Sequence, residues 1–284
     1  MKHSPADRDL HPRQARLWLP ILLLALAAAA CTTTPPDAPA TAASAATDLQ
    51  AQGAPVNTLT AAEKADGWTL LFDGLTFSGW RGLGYDDVPS RHWVIEDGAI
   101  KKIPTGDVPL QADGQPAAGG DLMTIADFAD FELAFDWKIS PGGNSGVKYN
   151  VSEEMSVGKT ANHAALGFEY QVLDDALHAD AKNGPHRTAG ALYDLVPPGP
   201  GKVLKPAGEW NAARIVFRGG HGEHWLNGAR VVEFDLDSPD FKARLAESKY
   251  APIPGFADRR RGHIVLQDHT DAAWFRNIRI KKQG

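Results

Sequence analysis

Cysteine is almost absent from this sequence: one of 284 residues, Cys31. A lone thiol excludes an intramolecular disulfide framework and any cysteine-based zinc site. Long basic runs are missing too, and the formal net charge is −6. Nothing points to electrostatic capture of nucleic acid, so no such partner is expected. The apolar run at residues 17–30 has about 14 residues, short of the ~20 that a membrane-spanning helix needs. Helical periodicity is scarce as well. The one good candidate is "SPDFKARLAESKY" at 238–250, opened by Ser238 as cap and Pro239 in the first turn.

What the N-terminus does contain is an export pattern. Lys2, Arg8, Arg13 and Arg16 precede the apolar run, and the small residues Ala29 and Ala30 stand directly before Cys31. Residues 1–30 read as a signal peptide whose end resembles a bacterial lipobox, in which the cysteine is acylated and becomes the mature N-terminus. Ala28 departs from that pattern, since a leucine or similar residue is usual there. A lipid on Cys31 would hold the protein at a membrane without inserting it. The expected location is the periplasm, free or attached to the outer membrane. Residues 31–66, rich in Ala, Thr and Pro, read as a disordered tether with one short helical turn near its end. The folded domain is expected over 67–284.

Eight Trp and 28 Gly suit a β-rich fold with many turns. Asp97-Gly98 in "HWVIEDGAIKKI" and Asn227-Gly228 in "HWLNGARVVEF" sit between apolar arms and tolerate the positive φ of type I′ turns, so both predict tight hairpins. Further strands are expected at 68–72, 121–125, 131–140, 145–151, 166–174, 189–195, 211–219, 262–269 and 273–282. Many short strands with no helix interleaved predict an all-β sandwich of two antiparallel sheets.

Several of these strands carry polar residues that a core strand does not need. "GFEYQVLDD" (167–175) sends Glu169 and Gln171 to one face and Phe168, Tyr170 and Val172 to the other. "NSGVKYN" alternates Asn144, Gly146, Lys148 and Asn150 against Ser145, Val147 and Tyr149, and "HIVLQDH" places Gln267 and His269 opposite Asp268. Tyr193 follows a loop with His186 and Arg187, and Arg276 opens the last strand. Such a face is either merely wet, as antiparallel sheets commonly are, or it grips something polar.

In order along the chain, "LLFDG", "FELAFDWKISPGGNSGVKY", "GFEYQVLDD", "TAGALYDLVPP", "GEWNAARIVF", "HWLNG" and "IVLQDHTDAAWFRNIRIK" resemble the bacterial DUF1080 family, also called the 3-keto-disaccharide hydrolase domain. The resemblance covers nearly everything from 68 to 282 and implies a concanavalin A-like β-sandwich, or jelly roll. Thr270 departs from it, because the family usually has glycine after the histidine. The implied substrate is a 3-keto-glycoside. Its ketone acidifies the C2 hydrogen and leaves the glycosidic oxygen β to the carbonyl, so removing that proton can expel the aglycone. Hydration of the product alkene then completes a net hydrolysis. The reaction needs a base near C2, a cation or donor for the enolate oxygen, and an acid for the leaving oxygen.

Glu169 is the expected base and His269 the expected acid/base, with Arg276 for the enolate and Tyr193 as donor to the leaving oxygen. Gln171, Asn144, Ser145, Lys148 and Asp174 are expected to bind sugar. A divalent metal on Glu169, His269 and Asp268 would also suit enolate stabilisation. No nicotinamide is expected, since no Gly-rich dinucleotide-binding turn is present. Two other readings compete: a non-catalytic, lectin-like carbohydrate-binding module, and a retaining glucanase using Glu169-x-Gln171-x-x-Asp174, which needs two carboxyls about 5–5.5 Å apart.

Overall fold

The computed structural model of the chain describes residues 55–110, 114–157 and 164–283. The expected signal peptide, Cys31 and most of the tether lie outside the described residues. The larger sheet contains β1 (Trp68–Leu70), β3 (Trp93–Glu96), β4 (Ala99–Lys102), β6 (Phe131–Ile139), β9 (Asn211–Arg218), β10 (His221–Leu226), β11 (Ala229–Asp235) and β13 (Ala273–Lys282). Its order is β11-β10-β9-β6-β13-β4-β3, with β1 also paired to β13. The smaller sheet, built from β2 (Trp80–Gly82), β5 (Leu122–Phe128), β7 (Asn144–Val151), β8 (Phe168–Leu173) and β12 (Gly262–Leu266), runs β2-β5-β12-β7-β8. Every pairing is antiparallel. This is the predicted concanavalin-like sandwich.

Period-two alternation decides what fills it. From β7 and β8 the residues Val147, Tyr149, Phe168, Tyr170 and Val172 turn inward and meet Phe131, Phe135 and Phe217 of the larger sheet. Tyr149 sits 5.7 Å from Phe168 and edge-on to Phe131 at 6.1 Å, spacings at which aromatic pairs attract beyond their area burial. Both predicted hairpins form, with φ of 51° and 70° at Asp97-Gly98 and 48° and 87° at Asn227-Gly228, the doubly positive pattern of a type I′ turn.

Three expectations need correction. Segment 189–195 is not a strand: Gly190 and Asp194 have φ of 81° and 60°, and the Leu195 N–H donates to Leu192 O. It folds over the edge of β8 instead, where the Gly190 N–H donates to Gln171 O and the Tyr193 N–H to Glu169 O. The folded body also begins before Gly67. Asn57 is buried, exchanges hydrogen bonds with Asn277 and donates from Nδ2 to Gly98 O, and α1 (Ala61–Ala65) carries a Thr60/Glu63 capping box. The predicted helix at 238–250 is α3 (Pro239–Glu247), a short α2 (Glu153–Ser156) having preceded it; α3 is capped by the Ser238 side chain but stops at Glu247.

One buried histidine makes stability depend on pH. His224 is fully enclosed between the sheets, with Tyr149 Oη 2.9 Å from Nε2 and Gly190 O 3.1 Å from Nδ1. The carbonyl requires Nδ1–H to donate, so Nε2 accepts from the tyrosine and the ring is neutral. Burial pulls its pKa from 6.5 down to about 4. The unfolded chain therefore takes up the proton first, and this group's contribution is full above pH ~6.5 and is lost as pH falls towards about 4. Buried Asp121, pushed up to about 6 by burial, works in the opposite sense, because the folded state binds its proton first as pH falls through 6. In urea unfolding, His224→Gln should lose less stability than wild type between pH 7.5 and 4.5. An identical loss in both proteins would remove His224 as the cause.

Candidate active site

Glu169 and Gln171 lie on the outer face of the smaller sheet, opposite Lys148 and Gly146 of β7. That face is not wet. The 189–195 cover and the turn after α3 enclose it, leaving Glu169 3% and Gln171 1% exposed. Gly146 makes the carboxylate's position possible, since a Cβ there would stand 2.9 Å from Glu169 Cδ. Beneath it, Lys148 Nζ lies 3.8 Å from Glu169 Oε2 and donates to Ala165 O at 3.2 Å.

Glu169 and His269 line one narrow, tightly closed cavity. Asn144, Gln171 and Gln267 supply its amides, and Tyr193 and Lys249 close it. Among the described residues, Asn144 Oδ1, Gln171 Oε1 and Gln267 Oε1 are buried acceptors with no hydrogen-bond partner. The amide nitrogens of two are engaged elsewhere, Gln171 Nε2 with Arg187 O and Asn144 Nδ2 against His269 Nε2, both at 3.4 Å. A buried orphaned acceptor costs about 1–3 kcal/mol, so three around one cavity call for a ligand rich in donors. Two roomier grooves, lined by 85–92 with 118–120 and by 173–177 with 204–207, contain neither Glu169 nor His269.

His269 is held from two sides. His178 packs edge-on against it with ring centroids 6.4 Å apart, and a Cβ on Gly114 would come within 2.7 Å of its Cε1. Burial and then the neighbouring His269 hold the His178 pKa below its ordinary value. Thr270 adopts φ 71°, the left-handed conformation that glycine takes without strain. The departure from the family pattern therefore leaves a glycine-like turn in place, and His269 still lines the cavity. Tyr193 donates its hydroxyl to Asp180 at 2.8 Å. Burial first, then Glu169 and Asp180, raise its pKa well above the usual tyrosine value, so it stays protonated.

The remaining candidates lie elsewhere. Arg276 is on the outer face of the larger sheet, 3.3 Å from Asp136 and stacked 4.0 Å over Trp210, so it cannot meet an enolate in this cavity. Ser145 has the opposite parity to Asn144 and donates to Gln267 O. Asp174 accepts from the N–H groups of Gly142 and Ala176 and staples a turn. Lys148 supports Glu169 from below and is not a wall of the cavity. Asp268 points away from His269 and binds His92 and Lys102, so Glu169, His269 and Asp268 do not assemble as metal ligands. Among the described residues, the group with ligand atoms all within 4.8 Å is His221, Glu223 and Glu233, and Arg230 pairs with both glutamates there.

Two cavity residues escaped sequence reasoning. Gln267 had a legible signal, since it stands two positions before His269 and shares its face. Lys249 had none, because it falls inside the stretch that reads as helix.

Fold and cavity together define a concanavalin-like sandwich that has sunk a carboxylate, an imidazole and unsatisfied amides into one sheet face. The family signature of the 3-keto-alpha-glucoside-1,2-lyase-like domain matches residues 67–281, and the chain belongs to that family. It is 41% identical over 234 residues to a 3-keto-disaccharide hydrolase of Bacteroides thetaiotaomicron, covering 76% of this chain and 79% of that protein. A crystal structure of a candidate glycosyl hydrolase from Parabacteroides distasonis aligns with a TM-score of 0.70 at 32% identity, over 81% of this chain and all of that one. A second from the same organism aligns at 0.56 and 28%, over 76% and 99%.

Proposed function

We propose that this protein hydrolyses 3-keto-glycosides, disaccharides among them, by elimination followed by hydration. The observation that carries the reading is the single cavity shared by Glu169 and His269, walled by acceptors that need hydroxyl donors. Glu169 takes the C2 proton and the C2–H electron pair forms the C2–C3 enolate. The enolate then collapses, the C1–O bond breaks and His269 protonates the departing oxygen. In the second half-reaction neutral His269 accepts a proton from water as it adds at C1, while protonated Glu169 returns its proton to C2. Both groups end as they began. Asn144 serves either state of the imidazole: its amide nitrogen faces Nε2, and turned over it offers Oδ1 to an Nε2–H.

A binding module needs the amides but leaves the buried carboxylate and imidazole without a task. A glucanase needs a second carboxyl, and Glu169 is the one carboxylate among the described residues of this cavity. Export and a lipid on Cys31 belong to the same reading and are supported by residues 1–31 alone. The direct test is incubation with a disaccharide and its 3-keto counterpart in heavy water. Only the keto-sugar should be consumed, with deuterium at C2 of the released 3-keto-glucose. Equal cleavage of the unoxidised sugar, or tight binding with no turnover, would replace the proposal.

A further inference from the structure

The groove over 173–177 and 204–207 begins where the cavity ends. We propose that it receives the leaving group, and that this group is an apolar aglycone, an aryl or arylalkyl alcohol, in preference to a second sugar. The assignment rests on the elimination reading above and names its substrate class. Leu173 follows Glu169 and Gln171 at period two and is the register partner of Asn144. Glu169, Gln171 and Asn144 line the cavity, and Leu173 lines the groove. One strand therefore carries its outer face from the first into the second. The step from Gln171 to Leu173 is about 7 Å, close to the span of one pyranose unit.

The acid for the leaving oxygen stands on the same side. His269 packs against His178, and the segment that ends in His178 borders the groove. Asp174 fixes that segment. Its carboxylate accepts from the Gly142 and Ala176 N–H groups, and its carbonyl accepts from the His178 N–H at 2.9 Å. His178 thus meets His269 while its neighbour Leu177 lies 66% exposed along the groove. The groove over 85–92 and 118–120 is walled by His92, the partner of Asp268, which points away from His269.

The chemistry of the walls selects the occupant. The groove encloses about 540 Å³ between Pro141, Leu173, Leu177, Leu204 and Pro206, within the usual size of a small-molecule site. Among the described residues, none of the buried acceptors without a partner lines it. Its carboxylates are engaged, Asp174 in the turn and Asp175 with the Ala189 N–H and Lys202. Acceptors that need hydroxyls are gathered in the cavity, and hydrocarbon faces the leaving group. A second sugar would press its hydroxyls against that hydrocarbon and lose their hydrogen bonds to water.

The test compares the 3-keto-glucosides of methanol and 2-phenylethanol, alcohols of similar acidity, with a 3-keto-disaccharide alongside. Matched leaving groups make the groove the difference between the first two. Wild type should favour the phenylethyl glycoside by about tenfold or more in kcat/KM, the scale of burying one aromatic ring. Leu177→Asn should bring that preference to within about threefold of unity, and Leu177→Phe should keep it. If Leu177→Asn does not fold by its unfolding transition, Leu177→Ala carries the same comparison. Three results overturn the assignment and leave the reaction standing: no preference in wild type, a disaccharide used better than the phenylethyl glycoside, or an equal fall of the variant on both glucosides. Wild type inert on all three substrates overturns the reaction, and this assignment with it.

Discussion

Glu169→Gln should reduce turnover of a 3-keto-glycoside by about 10³-fold or more, the upper part of the range for a positioned general base, and leave sugar binding within a few-fold. The substitution keeps the shape of the side chain, which matters because Gly146 and Lys148 pack directly on it. An amide there still hydrogen-bonds but cannot hold a proton taken from carbon. At 1.36 kcal/mol per tenfold, the expected loss is about 4 kcal/mol of transition-state stabilisation. Deuterium exchange at C2 of the substrate should disappear in parallel, since proton abstraction precedes bond cleavage. Calorimetry with an unreactive analogue separates binding from chemistry. A variant that still turns over within tenfold of wild type would move the base away from Glu169, with His269 next in line among the titratable residues of the cavity.

How much of this was visible beforehand follows from what period two does and does not encode. Alternation along 167–175 is local, so it correctly put Glu169 with Gln171 and the aromatic residues on the other side. The same rule sets Ser145 opposite Asn144 and Asp268 opposite His269, and the folded chain keeps both oppositions, although Ser145 and Asp268 were themselves expected at the site. What alternation omits is which sheet a strand joins. β13 pairs with β6 and β4 in the larger sheet, and its register slips between Arg276 and Arg279. Arg276 is thereby delivered to Trp210, a partner 66 residues away in sequence that no spacing rule names. The cover at 189–195 misled for a related reason: "ALYDL" has strand-like composition, but Gly190 and Asp194 at positive φ fold it into turns. Those turns, rather than the expected strand, bring Tyr193 to the cavity wall. Lys249 depended on a helix ending three residues sooner than its pattern implied.

Asp268 anchors a buried polar cluster outside the cavity, and removing it should be strongly destabilising. Lys102 is 0% and Asp268 1% exposed, with Nζ and Oδ1 2.9 Å apart. Burial lowers the Lys102 pKa and the Asp268 charge pushes it back up. The same carboxylate receives His92 Nδ1 at 2.5 Å and the Thr270 N–H at 3.1 Å, while the Asp268 N–H donates to Asp121. Asp268→Ala leaves the ammonium hydrogen-bonded to the Ile103 carbonyl at 2.5 Å, with Asp271 and Asp121 as the other acidic charges acting on it. Breaking one side of such a buried pair costs about 3–5 kcal/mol, which in a domain of this size lowers Tm by roughly 10 °C. If the cost comes from the stranded charge rather than from lost packing, Lys102→Met in the same chain should return much of it, because the two residues are in contact and their effects are coupled. Denaturant midpoints for wild type, both single variants and the double variant complete the cycle. Simple additivity would mean that Asp268 stabilises through the Thr270 turn and His92 instead. In that case Thr270→Gly, which relieves the positive φ without touching Lys102, should recover stability in the Asp268→Ala background where Lys102→Met does not.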